Sequence, residues 1–108
     1  MNREKRAATD AAWQRANRDR HAASIGKARV VREYGPERIP VDFDFEATVL
    51  LYAKAQELTR LTGVKHEVDH IIPLCYDGLH EASNLQVLTR AENQAKRKRD
   101  RQLLLAET

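Results

Sequence analysis

Three side chains in the second half of the chain have the types and positions needed for hydrolytic chemistry. Asp69 and His70 end a short β-branched segment, and Asn93 falls in the first turn of a segment with strong helix signals. Asp69 and Asn93 offer oxygen ligands, which suit a hard cation such as Mg²⁺. His70 follows the carboxylate directly, and a neutral imidazole at that position could take a proton from an attacking water.

Local patterns predict a strand, a turn and a second strand around this region. The segment Val64–Ile72 is short, rich in β-branched residues and closed by Pro73, which predicts a strand. Asp77-Gly78 indicates a turn, and Asn84–Leu88 alternates as a second strand would. The returning chain can then bring Asp69 close to the helix that bears Asn93.

Capping signals predict two of the helices. Asp44 is placed to cap a helix over residues 45–62, and Gly63 is placed to end it. Thr89 and Glu92 fit the capping box, in which each side chain satisfies the backbone N–H of the other residue. The last helix should therefore begin after Thr89 and run toward the C-terminus.

The first 40 residues predict a basic helical arm and a linker. Residues 3–24 are rich in Ala, Arg and Asn, which favour a helix but offer little apolar surface. The sequence does not decide whether the helix is broken near Gly26. The linker is marked by Gly35, Pro36 and Pro40. The large apolar anchors of the arm are Trp13, Ile25, Val30 and Val31.

The segments that carry these residues resemble the ββα-metal motif of HNH endonucleases. The matching segments are HEVDHIIPL at 66–74, NLQVL at 84–88 and ENQAK at 92–96. The last motif residue is Asn in place of His, which is similar to the HNH domain of the CRISPR effector nuclease. The resemblance spans residues 61–97, and the loop Gly78-Leu79-His80 is similar to that of small HNH proteins common in bacteriophage genomes.

The resemblance implies a role for each matching residue. Asp69 and Asn93 would hold a divalent metal, Mg²⁺ or Mn²⁺, and His70 would be the general base. Asn84 would support catalysis by pinning the loop and orienting the histidine. One metal and one base imply nicking, with 5′-phosphate and 3′-hydroxyl products. Many family members frame the motif with two cysteine pairs around zinc, whereas Cys75 is the only cysteine of this chain.

The distribution of charge favours a polyanionic partner, and we expect that partner to be DNA. Residues 1–33 carry nine Lys/Arg and four Asp/Glu, a local charge of +5, whereas residues 34–89 carry a local −5 and residues 90–108 a local +3. Two basic ends suit the phosphate backbone, although basic helix faces are often only solvated. The residues predicted to contact DNA are Lys96 and Arg97, on the helical face of Asn93, and Arg15 and Arg18 of the arm.

Other classes are disfavoured by what the sequence lacks. It has no apolar run long enough to cross a bilayer and no secretory signal at Met1, which favours the cytoplasm of a bacterial host cell. A single cysteine excludes an intrachain disulfide and a multi-thiolate zinc site. His66 and His80 are expected at the surface, with a contact to metal or phosphate as the alternative.

Together these observations predict an α+β fold with a single ββα-metal unit. Residues 1–40 form the basic arm and linker, and residues 41–108 form the nuclease domain, with a support helix over 45–62 and the motif over 64–105. The predicted function is metal-dependent, weakly sequence-specific hydrolysis of DNA, associated with a bacteriophage. The alternative is a non-catalytic DNA-binding protein or an accessory subunit of a phage DNA-processing or packaging machine. A homodimer or a larger phage assembly stays open.

Overall fold

The fold, obtained as a computed structural model, is described over residues 3–107 and combines helices with a small antiparallel sheet. Its helices are α1 (Arg3–Tyr34), α2 (Phe45–Thr62) and α3 (Arg90–Glu107), and its strands are β1 (His66–His70) and β2 (Leu85–Thr89). The strands pair antiparallel, with Val68 opposite Val87 and Asp69 opposite Gln86. This mixture agrees with the predicted α+β class. Both strands are shifted or shortened relative to their predicted bounds.

Helix α1 is one unbroken helix, which settles the question left open at Gly26. A glycine inside a helix costs about 1 kcal/mol relative to alanine, but here the side chain of Tyr52 on α2 occupies the space that a Cβ would fill. The glycine therefore allows α1 and α2 to pack closely at this position. Among the predicted anchors Val30 is 1% exposed, whereas Trp13, Ile25 and Val31 are 65%, 56% and 37% exposed.

Helix α2 begins and ends at the predicted residues. The carboxylate of Asp44 accepts a hydrogen bond from the Ala47 backbone N–H at 3.1 Å. Gly63 follows the helix with φ 72°, the left-handed conformation that glycine adopts without a Cβ penalty. Its backbone N–H donates to the carbonyl of Thr59, so the last turn is closed.

The hairpin leads directly into α3 through the predicted capping box. The Thr89 N–H donates to the Glu92 carboxylate at 2.9 Å, and the Glu92 N–H donates to the Thr89 hydroxyl at 3.1 Å. The Arg90 N–H also donates to the Lys65 carbonyl at 2.8 Å, which ties the start of the helix to the start of β1. These bonds fix the first turn of α3 beside the strand that carries Asp69.

Among the described residues, buried polar side chains are as numerous as buried apolar ones. Its buried apolar residues are Ala23, Val30, Ala55, Leu74 and Leu85, and its buried polar residues are Asp19, Thr48, His80, Asn84 and Asn93. Burying a polar group costs free energy unless the group is hydrogen-bonded. The burial of apolar surface alone therefore does not account for the composition of this interior. Over residues 3–107, none of the helices combines the length and the apolar character needed to span a membrane.

Candidate active site

A cleft runs along β1 between α1 and α3, and the predicted site residues Asp69, His70 and Asn93 line it. One part has a cavity volume of about 400 Å³ and is lined by residues that include Glu67 and Asn93. The other part, of about 380 Å³, is lined by residues that include Asp69 and His70. Arg29 and Arg97 line both parts, so the two parts of the cleft adjoin at these two side chains.

The carboxylate of Asp69 lies on the α3 side of the cleft and is paired with Lys96. The Lys96 ammonium lies 3.2 Å from Asp69 Oδ2, 3.1 Å from Asp100 Oδ2 and 3.0 Å from the backbone oxygen of His70. Only 12% of the Asp69 side chain and 14% of the Lys96 side chain are exposed. A positive charge is therefore already held at the carboxylate predicted to bind a metal.

Asn93 is held by Glu67, a residue that the sequence reasoning did not single out. The Asn93 Nδ2 donates to Glu67 Oε1 at 3.1 Å, and the Asn93 side chain is buried. Because a carboxylate only accepts hydrogen bonds, this contact fixes which end of the amide is nitrogen and turns Oδ1 away from Glu67. Among the described residues, that buried Oδ1 has no hydrogen-bond partner.

These donors fit a hard divalent cation. The unpartnered oxygen of Asn93 and the carboxylate of Asp69 are the ligand types that Mg²⁺ and Mn²⁺ prefer, and Mg²⁺ typically keeps several waters and needs few protein ligands. Over residues 3–107, no group of three His, Cys, Asp or Glu side chains converges as a metal site. Asp69 and Asn93 both offer oxygen donors, whereas a structural zinc centre surrounds its ion with nitrogen and sulfur.

His70 is half-buried and its ring is bonded to a second histidine. Its Nε2 lies 3.0 Å from the Nδ1 of His80. Burial lowers the pKa of His70 below its usual value, with the nearby Asp69 acting in the opposite direction. A lowered pKa leaves the ring neutral at physiological pH, which is the protonation state that a general base requires.

The expected surface position of His80 is wrong, because His80 is 1% exposed. Its ring stacks on Phe43 with 5.5 Å between centroids, and its backbone N–H donates to the Arg38 carbonyl at 2.8 Å. Burial lowers the pKa of His80 to about 4, and the neighbouring His70 adds to this effect. His66, in contrast, is partly exposed, and its Nδ1 lies 2.7 Å from the Val64 carbonyl.

The side-chain amide of Asn84 pins the loop between the strands. Its Oδ1 accepts from the Ile72 N–H at 2.9 Å, and its Nδ2 donates to the carbonyls of Ile72 and Leu79 at 3.1 and 2.8 Å. None of these three bonds reaches His70 itself. They hold the loop that follows His70.

Arg38 holds the same loop from the other side. Its guanidinium donates to the carbonyls of Leu74 and Gly78 at 2.6 and 3.2 Å and pairs with Asp77 at 3.2 Å. These partners lie between 36 and 40 residues later in the chain, so no local sequence signal could reveal them. The loop that carries His80 is thus fixed by both Asn84 and Arg38.

The four residues predicted to contact DNA lie in two separate places. Lys96 and Arg97 line the cleft, although the ammonium of Lys96 is bonded inside the protein. Arg15 and Arg18 are exposed on α1 and line a separate depression against α2. Arg29 and Arg101, which the prediction omitted, line the cleft half that contains Asp69 and His70. Only the surplus of basic residues in both terminal segments could have indicated them.

Comparison of this chain with protein families, with characterised proteins and with solved structures finds no match. The proposed function therefore rests on the geometry of the cleft and on the sequence resemblance.

Proposed function

We propose that this chain is a metal-dependent DNA endonuclease of the HNH type that nicks its substrate with weak sequence specificity. The observation that carries the proposal is the cleft along β1, onto which Asp69, His70 and Asn93 all open. The strand–strand–helix order and the unpartnered oxygen of Asn93 support the same conclusion. The proposal includes a ββα-metal unit as the structural basis of the site.

In the proposed reaction, His70 takes a proton from the attacking water. The water oxygen then forms a bond to phosphorus while the bond from phosphorus to the 3′ oxygen breaks. The departing 3′ oxygen takes a proton from solvent, which leaves 5′-phosphate and 3′-hydroxyl ends. Asp69 and Asn93 would hold the cation, and a bound Mg²⁺ or Mn²⁺ would stabilise the negative charge on the phosphate and on the departing oxygen.

The basic walls of the cleft support a nucleic-acid substrate. Arg29, Arg97 and Arg101 all line it, and arginine binds phosphate through several donors in a fixed plane. Contacts to phosphate position a protein on DNA without reading its sequence. Weak specificity is therefore expected unless exposed side chains of α1 or α3 reach the base edges.

A plasmid-nicking assay tests the proposal. We expect the wild-type protein to convert supercoiled plasmid to open circles with Mg²⁺ or Mn²⁺, and EDTA to stop the reaction. His70→Ala should slow nicking about 10²–10⁴-fold, the usual cost of losing a general base. His21→Ala, which changes an exposed histidine of α1, serves as the matched control and should nick normally. Wild-type protein that is folded but inactive with every divalent metal would refute the proposal.

The ion pair between Asp69 and Lys96 favours a second candidate, a DNA-binding protein without catalysis. In such a protein the pair, with both side chains largely buried, would be a structural contact and no metal would be needed. DNA affinity would then be the same with Mg²⁺ and with EDTA. An accessory subunit of a phage DNA-processing or packaging machine belongs to the same candidate, and the same plasmid assay separates it from the enzyme.

A further inference from the structure

The partly buried contact between the rings of His70 and His80 can hold its proton in two ways. The two rings meet through His70 Nε2 and His80 Nδ1 at 3.0 Å. A neutral imidazole carries one N–H, and the low pKa of His80 keeps its ring neutral at pH 7. One proton therefore lies between the two nitrogens, and either ring can be its donor.

The two arrangements leave His70 with different chemistry. If His80 donates, the Nε2 lone pair of His70 is occupied and its Nδ1 carries the proton, so neither nitrogen can accept one. If His70 donates from Nε2, its Nδ1 is bare and can accept. Either arrangement leaves the buried Nε2 of His80 without a partner among the described residues, so this atom does not decide between them.

The proposed reaction requires the second arrangement, because His70 can take the proton of a water only while its Nδ1 is bare. The charges nearby do not select it, since the carboxylate of Asp69 acts on the charge of His70 in one direction and Arg29 and Lys96 act in the other. The geometry supplies an acceptor for the Nε2–H, because the Nδ1 of the buried His80 lies 3.0 Å from His70 Nε2.

We propose that His80 is the positioning residue of the base: it accepts the Nε2–H of His70 and so keeps the Nδ1 of His70 bare. This inference rests on the proposed function for its catalytic meaning. When Nδ1 takes the proton of the attacking water, the Nε2–H bond to His80 persists and steadies the charged ring. The stacking on Phe43 and the backbone bond to Arg38 hold His80 in place for this task.

The tautomer can be measured without activity. Imidazole ¹⁵N spectra of the full-length, metal-free protein at pH 8 should show His70 protonated at Nε2 and bare at Nδ1. His80→Asn retains a carbonyl oxygen that can accept from His70, and it should preserve this pattern. His80→Phe retains an aromatic ring against Phe43 but has no acceptor, and it should give His70 a mixture of tautomers. His21→Ala provides the assignment control.

Activity supplies the second readout. His80→Phe should lower kcat about 10- to 100-fold with little change in KM, because DNA contacts are untouched. His80→Asn should stay within about threefold of wild type, which a purely structural role would not explain. A wild-type spectrum with the proton on Nδ1 of His70 would overturn the inference, and so would full activity in His80→Phe. If wild-type protein does not nick DNA, the proposed function fails, while the spectra still decide the tautomer.

Discussion

Replacing Lys96 by methionine tests what its ammonium group does inside the cleft. The group contacts Asp69, Asp100 and the backbone oxygen of His70, all within 3.2 Å. Methionine keeps an unbranched apolar stem of similar volume but has no charge and no donor. The substitution therefore removes the cation while leaving the two carboxylates and their surroundings in place.

The expected loss of stability follows from burial. The exposed fractions of the Lys96, Asp69 and Asp100 side chains are 14%, 12% and 22%. Removing one partner of a buried ion pair costs about 3–5 kcal/mol, because the other charge stays buried without compensation. Since Asp100 retains some contact with water, we expect about 3 kcal/mol. For a domain of this size that corresponds to a fall in Tm of roughly 10–15 °C.

A divalent cation should recover much of this loss. With Lys96 absent, the Asp69 carboxylate is free to bind Mn²⁺, and a ligand present at about 100 times its Kd adds about 2.7 kcal/mol to the unfolding free energy. Mn²⁺ should therefore raise the Tm of Lys96→Met by roughly 10 °C. The wild-type protein should gain less, because the ammonium competes with the metal for the same oxygen.

Thermal unfolding with Mn²⁺ and with EDTA measures both effects. Arg60→Met is the matched control, since the side chains of the Arg60–Glu57 pair are 65% and 55% exposed and its loss should change Tm little. A Tm for Lys96→Met within about 2 °C of wild type would refute the burial argument. An equal gain from Mn²⁺ in the variant and the wild type would refute the competition between lysine and metal.

Three further predictions concern the loop, pH and the free end of α1. Asn84→Ala should lower the unfolding free energy by about 2–3 kcal/mol in urea melts, because three buried bonds are removed, whereas Asn17→Ala on the exposed face of α1 should be neutral. The unfolding free energy should fall as the pH is lowered from about 6.5 to about 4, because His80 takes up a proton at a higher pH in the unfolded chain than in the folded one. Tm measured against pH should fall less in His80→Asn, with His21→Ala as the control. Deleting residues 2–17 should leave Tm unchanged, since the described part of this segment is almost entirely exposed. The deletion should also make the slope of log DNA affinity against log salt shallower by roughly 0.9 for each phosphate that the shortened protein no longer binds.

Local signals predicted both ends of α2 and the start of α3, because the interactions that fix them are local. Asp44 caps α2 through an N–H three residues later, and Thr89 and Glu92 satisfy each other over the same separation. Gly63 adopts the positive φ that glycine at a helix end commonly provides. Such patterns need only a few neighbouring residues, so they can be read from the sequence alone.

Most contacts that organise the cleft could not be predicted because they join distant segments. Glu67 meets Asn93 across 26 positions, and the guanidinium of Arg38 reaches a loop almost 40 residues away. His80 has no local feature that distinguishes a buried histidine from a surface one. The sequence therefore indicated which residues could do chemistry, while the residues that orient them emerged only from the three-dimensional arrangement.

The 32-residue helix α1 has a consequence for measuring the mass of the protein in solution. The molecule extends 64 × 33 × 20 Å, and its radius of gyration is 16.5 Å. A compact domain of this length would have a radius of gyration of about 13 Å, and a value of 16.5 Å is typical of a compact domain of about 200 residues. A single chain should therefore elute from a size-exclusion column close to the position of a globular dimer. Light scattering, which measures mass independently of shape, is the method that can count the chains.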